Sequence, residues 1–360
     1  MNFKFKITPF VVLGFAAFSQ KVDLDKYFVT TKYRHLPEIV VDTNYKSFSV
    51  NAPSTAELAG TRVSLPTVDD LYINGLKKIN NGDGHFVVKF NFVDARLDKR
   101  TAEAKKNVEK AKDGTVIKET TVYKPLMVYS LTFVSELFDY KGNKIATLNN
   151  YTVASKNHYP TSTEYSNSYD AESYLYNNYR SIFKQVITDE YKAHISSTND
   201  VLNKKIGLGV EDYGAYNYIW MNDTKKHPEY EKQQSTVAEI KSWAAGISGD
   251  MPLSEDQLKK ANEFLDYFES LKKKYTSEEK ADKKMRYSAF YNKAYIYMFY
   301  LDNPTKAYEE ASGLIANDYD TRDGKEFQNM ADNLKKKLDT AKKKTRHFAI
   351  DVESVKGPNE

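Results

Sequence analysis

The dominant spacing of apolar residues changes near residue 222. Before that point alternation is prominent: Phe86, Val88, Phe90 and Phe92 share one side of a run whose other side carries Lys89 and Asn91. Beyond it they recur every three or four positions, as in Leu258, Ala261, Leu265, Phe268 and Leu271. A period of two belongs to a strand with one buried face, and a period of 3.6 to a helix. Neither pattern serves the other structure, so the chain divides into a sheet-bearing part and a helical part. With 41% hydrophobic residues over 360 positions, both parts have material for a core.

Residues 20–221 read as strands with two helices. Tyr27, Phe28 and Val29, then Glu38 to Val41, are short β-prone runs separated by Pro37. Thr67 with Asp70 looks like an N-cap, and Val68, Leu71, Tyr72, Gly75, Leu76 and Ile79 follow at helical spacing, which predicts a helix over 67–79. Asn80, Asn81, Gly82, Asp83 and Gly84 are turn residues that would close it. The charged stretch 96–113 predicts a solvated loop or exposed helical turn. Strands follow at 115–123, 127–138 and 145–154, the last two joined by a turn at 139–144 with Gly142. A polar loop at 156–169 leads to a helix over 170–194 whose apolar face is Leu175, Tyr179, Ile182, Phe183, Val186 and Ile187. Residues 201–220 look strand-like and are expected to complete the sheet. The fold class is α+β, with helices packed on a mainly antiparallel sheet.

The polar stretch 222–228, with His227 and Pro228, predicts the domain boundary. A helix is expected over 229–246, with Val237, Ile240, Trp243 and Ala244 inward. Ser254 and Gln257 form a capping box, and Thr276 with Glu279 looks like a second. Asn303 followed by Pro304 suits a cap and a first helical position. Asp323 with Glu326 marks a last start, before Phe327, Met330, Leu334, Leu338 and Ala341. Short turns between well-capped helices mean antiparallel stacking. The segment 292–318 resembles a tetratricopeptide unit, with Ala294, Tyr297, Ala307 and Ala311 near that family's packing positions. The preceding helix is longer than that family's, and no clean 34-residue period repeats. The resemblance implies a groove that receives another protein or peptide.

Lys4 and Lys6 precede an almost wholly apolar run at 7–18. A membrane-crossing helix needs roughly 20 apolar residues, so the run suits the core of a signal peptide better than an anchor. Ala17 and Ser19 are the small residues a cut before Gln20 requires. The other reading is a buried N-terminal strand or helix. Cutting there lowers the net charge from +4 by two lysines. The expected division is a signal peptide at 1–19, an α+β domain at 20–221, a helical domain at 229–349 and a tail at 350–360. The Lys, Asn and Tyr content, with 28 Tyr against 2 Trp, resembles that of exported Bacteroidota envelope proteins.

Lys+Arg at 53 against Asp+Glu at 49 argues against a nucleic-acid binder. With no Cys, disulfides, thiolate metal sites, Cys nucleophiles and a lipidated N-terminal Cys are excluded. The six histidines stand singly, without His-x-x-x-His spacing, so no metal is expected. Gly207 and Gly209 lack the third glycine of a dinucleotide loop, no Gly-x-Ser-x-Gly occurs, and no cofactor is expected. A catalytic carboxylate pair stays open, because 49 acids offer many pairs. Two surface candidates remain. Tyr159, Tyr165, Tyr169, Tyr174 and Tyr176 crowd one loop and helix start, where exposed rings suit a protein interface or a sugar. Lys335, Lys336, Lys337, Lys342, Lys343, Lys344 and Arg346 form a basic cluster for an acidic partner, or else a solvated helix face. Tyr287, Tyr291, Tyr295, Tyr297 and Tyr300 lie on a helix apolar nearly all round and are expected in the core.

These features together predict a non-catalytic exported envelope protein, periplasmic or outer-membrane associated, that binds an envelope protein as scaffold or accessory subunit. The alternative is a glycan or peptidoglycan binder using the Tyr-rich loop.

Overall fold

The computed structural model describes residues 21–40, 42–58, 61–80, 84–214 and 217–359. The signal segment expected at 1–19 lies outside the described residues, as do Asn81, Gly82 and Asp83 of the expected turn. The molecule has the α+β composition expected, in two compact units that do not follow chain order. A helical unit takes the described residues up to Tyr33, then 211–339 and 344–348; a sheet unit takes 34–210, 340–343 and 349–359. The helical unit therefore reaches across the boundary expected at 222–228.

The sheet unit is built on five strands in the order β6-β3-β7-β8-β9. They are β3 (Ser47–Asn51), β6 (Lys77–Lys78), β7 (Phe86–Lys110), β8 (Val116–Asp139) and β9 (Lys144–His158). β7, β8 and β9 form the expected antiparallel meander, while β3 runs parallel to both its neighbours. A small hairpin, β4 (Thr55–Leu58) with β5 (Thr61–Ser64), completes the strands. Alternation buries Phe86, Val88 and Phe90 of β7 and Met127, Tyr129, Leu131, Phe133 and Leu137 of β8. Helix α1 (Ser168–Ile206) lies on that face, contributing Phe183, Val186, Ile187, Tyr191, Leu202 and Ile206 to the same core.

Three expectations here are corrected. Residues 96–113 are mostly strand, because β7 continues to Lys110 and hydrogen-bonds to β8. Neither face is buried there, so alternation had nothing to reveal. Residues 67–79 form no helix: Leu71 and Ile73 are buried, and Gly75 takes φ +78°. The backbone N–H groups of Tyr72 and Asn74 donate instead to Asn199 and Asn203 of α1, at 3.0 and 2.8 Å. Residues 201–206 extend α1, since Thr198, Leu202 and Ile206 keep its buried stripe. The expected tail is also docked: Lys77 Nζ donates to the carbonyls of Glu353 and Val355 at 2.9 and 3.0 Å.

In the helical unit β1 (Leu24–Val29) pairs antiparallel with β11 (Asn217–Asn222). β11 thus joins the helices rather than the sheet it was expected to complete. The short strands β2 (Lys32–Arg34) and β10 (Val210–Asp212) lie where the chain passes between units. The helices are α2 (Tyr230–Ala245), α3 (Glu255–Lys274), α4 (Lys280–Phe299), α5 (Pro304–Ala316) and α6 (Thr321–Ala341). Ser254 caps α3 with the reciprocal Gln257 bond, and Asn303 caps α5 ahead of Pro304. The second expected capping box does not form: α4 has Glu279 at its N-cap without a side-chain bond. α6 starts at Thr321, ahead of the expected Asp323.

α4 is central. Tyr287, Tyr291, Tyr295 and Tyr300 are buried, as expected, and Tyr297 is half-buried. Ala294, Ala307 and Ala311 are fully buried. Asn292 treats β11 as a strand partner would: its Oδ1 accepts from Trp220 N at 2.7 Å and its Nδ2 donates to Trp220 O at 2.8 Å. Lys293 reaches Glu269 of α3 at 2.5 Å and Glu310 of α5 at 2.7 Å; Lys272 reaches the same two acids at 2.7 and 2.9 Å. This ring of charge ties three helices.

Candidate functional site

A cleft of about 200 Å³ opens in the helical unit among Tyr218, Tyr291, Tyr295, Phe299, Phe327 and Met330. Asp323 and Glu326 stand beside the rings. Tyr218 stacks on Tyr291 with ring centres 5.6 Å apart, and Phe327 meets Tyr291 edge-on at 5.0 Å. Lys26 Nζ sits 4.2 Å over the Tyr218 ring. Tyr287 donates to Asp323 at 2.5 Å, so that acid is engaged, while Glu326 is exposed. Rigid aromatic walls with a carboxylate alongside suit an apolar side chain flanked by a basic one. The helical period marks Phe327 and Met330 as inward, but that they face Tyr218 is decided by how β11 packs.

The sheet unit holds an open groove of about 550 Å³ lined by Arg100, Tyr169, Glu172, Ser173, Leu175, Tyr176 and Asn177. Tyr169 and Tyr176 are 76% and 75% exposed. Beside it Arg100 lies 4.2 Å over the Tyr179 ring and Arg180 stacks at 5.8 Å. The other tyrosines of the cluster are otherwise employed. Tyr159 donates to Glu103 at 2.6 Å; Tyr165 pairs its backbone with Tyr123 at 2.8 and 2.9 Å, and its ring meets Tyr174 at 6.2 Å. Of the expected cluster only Tyr169 and Tyr176 line the groove. Arg100 was hidden in the charged stretch expected to be a loop.

The basic cluster is partly dissolved. Lys335 and Lys336 are exposed on α6, and Lys342 and Lys343 are exposed beyond its end. Arg346 is 6% exposed and serves the core. Its Nε donates to Asp302 Oδ1 at 2.7 Å and its Nη2 to Met298 O at 2.7 Å, with the guanidinium 3.5 Å over the Tyr33 ring.

The densest buried polar group is also structural. Glu190 accepts from Tyr129 at 2.5 Å, Tyr151 at 2.6 Å and Lys156 at 2.7 Å. Burial works to raise the carboxyl pKa, but these donors outweigh it and hold it below the usual value. Burial also pushes Tyr151 up to about 12. Three donors from three different residues thus converge on one carboxylate. Among the described residues no group of three or more His, Asp or Glu is placed to hold a metal ion. No helix among them is long and apolar enough to cross a membrane.

The sequence matches no protein-family model. It matches no curated protein sequence. Among solved structures, a minor lipoprotein from Acinetobacter baumannii is similar over 46% of this chain and 96% of its own, at 18% identity and a TM-score of 0.20. Superposition that loose transfers neither fold nor function.

Proposed function

We propose that this chain is a non-catalytic exported protein of the bacterial envelope that binds another envelope protein, as scaffold or accessory subunit, through its tetratricopeptide-like helices. The observation that carries the reading is the aromatic cleft with Glu326 beside it. With Asp323 held by Tyr287, one exposed acid remains, which favours binding over carboxylate-pair hydrolysis. Export rests on Lys4 and Lys6 followed by the apolar run at 7–18. Mass spectrometry of the protein from the envelope fraction tests this: Gln20 at the N-terminus is expected, and an intact N-terminus would refute export by cleavage.

Crosslinked capture from native envelope tests the cleft. One stoichiometric protein is expected with the wild type and lost with Glu326→Lys or Met330→Glu at unchanged melting temperature. Retention of that protein by both variants would place binding elsewhere.

A second reading is favoured by Tyr169 and Tyr176 alone: two exposed rings beside polar side chains suit stacking on a sugar. Affinity for envelope polysaccharide that vanishes in Tyr169→Ala and Tyr176→Ala would support it. Equal affinity in the variants would end it.

A further inference from the structure

Among the described residues, no strand covers the edge of β7 beyond Lys89. β3 pairs with it only from Phe86 to Lys89, and among the described residues no other strand joins that side. From Lys99 to Glu109 its register with β8 runs without a bulge. Eight of the eleven residues of that stretch are exposed and none is buried. A long regular edge is a template for further pairing, and charges usually guard it.

The charges here do more than guard. Set antiparallel against a second copy of itself about Ala104, the stretch places Lys99 opposite Glu109, Glu103 opposite Lys105 and Thr101 opposite Asn107, each twice. Arg100 meets Val108, Ala102 meets Lys106, and no like charges face each other. Sliding the register by one residue sets Lys99 against Lys110 in one direction and leaves no unlike charges opposed in the other. Sliding it by two sets Glu103, or Lys105, against its own copy. Opposed unlike charges favour a cross-strand pair and opposed like charges disfavour it, so one register is selected. Edge protection alone requires no such symmetry. Glu103 already accepts from Tyr159, and Lys105 already meets Glu164, so the central pairs would extend existing networks.

We propose that two copies of this chain pair through this edge, β7 against β7 about a two-fold axis at Ala104, joining two ribbons into a four-stranded sheet. An eleven-residue ladder is small for a specific interface, and a dissociation constant of about 1–10 μM is expected.

The absence of cysteine makes the test clean. Directly opposed residues of an antiparallel pair have Cα atoms about 4.5–5.5 Å apart, within disulfide reach. Ala104→Cys should therefore give a covalent dimer under mild oxidation. Val108→Cys should not, because its two thiols would stand eight residues, roughly 27 Å, apart. Sedimentation equilibrium from about 1 to 100 μM should show reversible doubling of mass. Lys99→Glu should weaken the dimer about ten-fold, and adding Glu109→Lys should restore it. A monomer throughout that range, equal crosslinking at 104 and 108, or a dimer indifferent to Lys99→Glu would overturn the proposal.

Discussion

His194 shows how much one buried side chain carries. It is fully buried, stacked on Phe133 at 5.6 Å and edge-on to Phe90 at 5.5 Å, and its Nε2 has no hydrogen-bond partner. Burial pushes its pKa from 6.5 down to about 4. The unfolded imidazole takes up a proton below about 6.5, whereas the folded one resists until about 4. Its contribution is therefore complete above pH 6.5 and is lost as pH falls toward 4, at up to ~1.4 kcal/mol per unit. His194→Phe is expected to shrink the difference in urea midpoint between pH 7 and pH 4.5. A variant with the wild-type difference would show that another group titrates. Glu190 is a second case: Glu190→Ala leaves Tyr129, Tyr151 and Lys156 without their acceptor. A loss of about 3 kcal/mol in chemical denaturation is expected, and Glu190→Gln should lose less. Sequence periodicity places His194 on the inward face of α1 but is silent on what surrounds it. Those neighbours come from strands far away in the chain.

The helix starts at 254 and 303 were readable because a cap is local: Ser254 with Gln257, and Asn303 with Lys306, lie three residues apart. The segment after α6 was not readable. Arg346 looked like one more surface cation beside its lysines, yet it pairs with Asp302, 44 residues away. Asp302 takes φ +47° at the α4–α5 turn, and its carboxylate also accepts from the Arg346 backbone and the Thr345 hydroxyl. Removing it strands a buried guanidinium, so Asp302→Ala should cost about 3–5 kcal/mol, read as a lowered unfolding midpoint. At Gly313 α5 comes close to α4, since a Cβ there would lie 2.2 Å from the Phe290 ring. Alanine would gain up to ~1 kcal/mol of helix propensity, but moving a packed ring costs about 1–3. Gly313→Ala should therefore melt lower than the wild type, and a higher melting temperature would show that Phe290 yields freely.

At the scale of the molecule the helical unit is assembled from distant pieces. β11 packs on α4, and β1 beside it packs on α2, with Ile219 fully buried and Asn292 spent on Trp220. A fragment of residues 229–349, cut at the boundary that composition suggests, lacks both strands and exposes Asn292 and the aromatic faces of α4. It should unfold without a cooperative transition in circular dichroism. A cooperative melt matching that of the intact chain would show that the strands are dispensable.

The meander, the caps at Ser254 and Asn303 and the buried tyrosines of α4 lie in patterns a few residues long, and the sequence by itself determined them. The strand at 98–110, the extended path at 67–79, the burial of Arg346 and the meeting of Arg100 with Tyr179 depend on partners supplied by distant segments. Only the tertiary structure decided these. A backbone hydrogen bond or an ion pair is satisfied by whatever group the fold delivers, and chain position alone does not say which group that is.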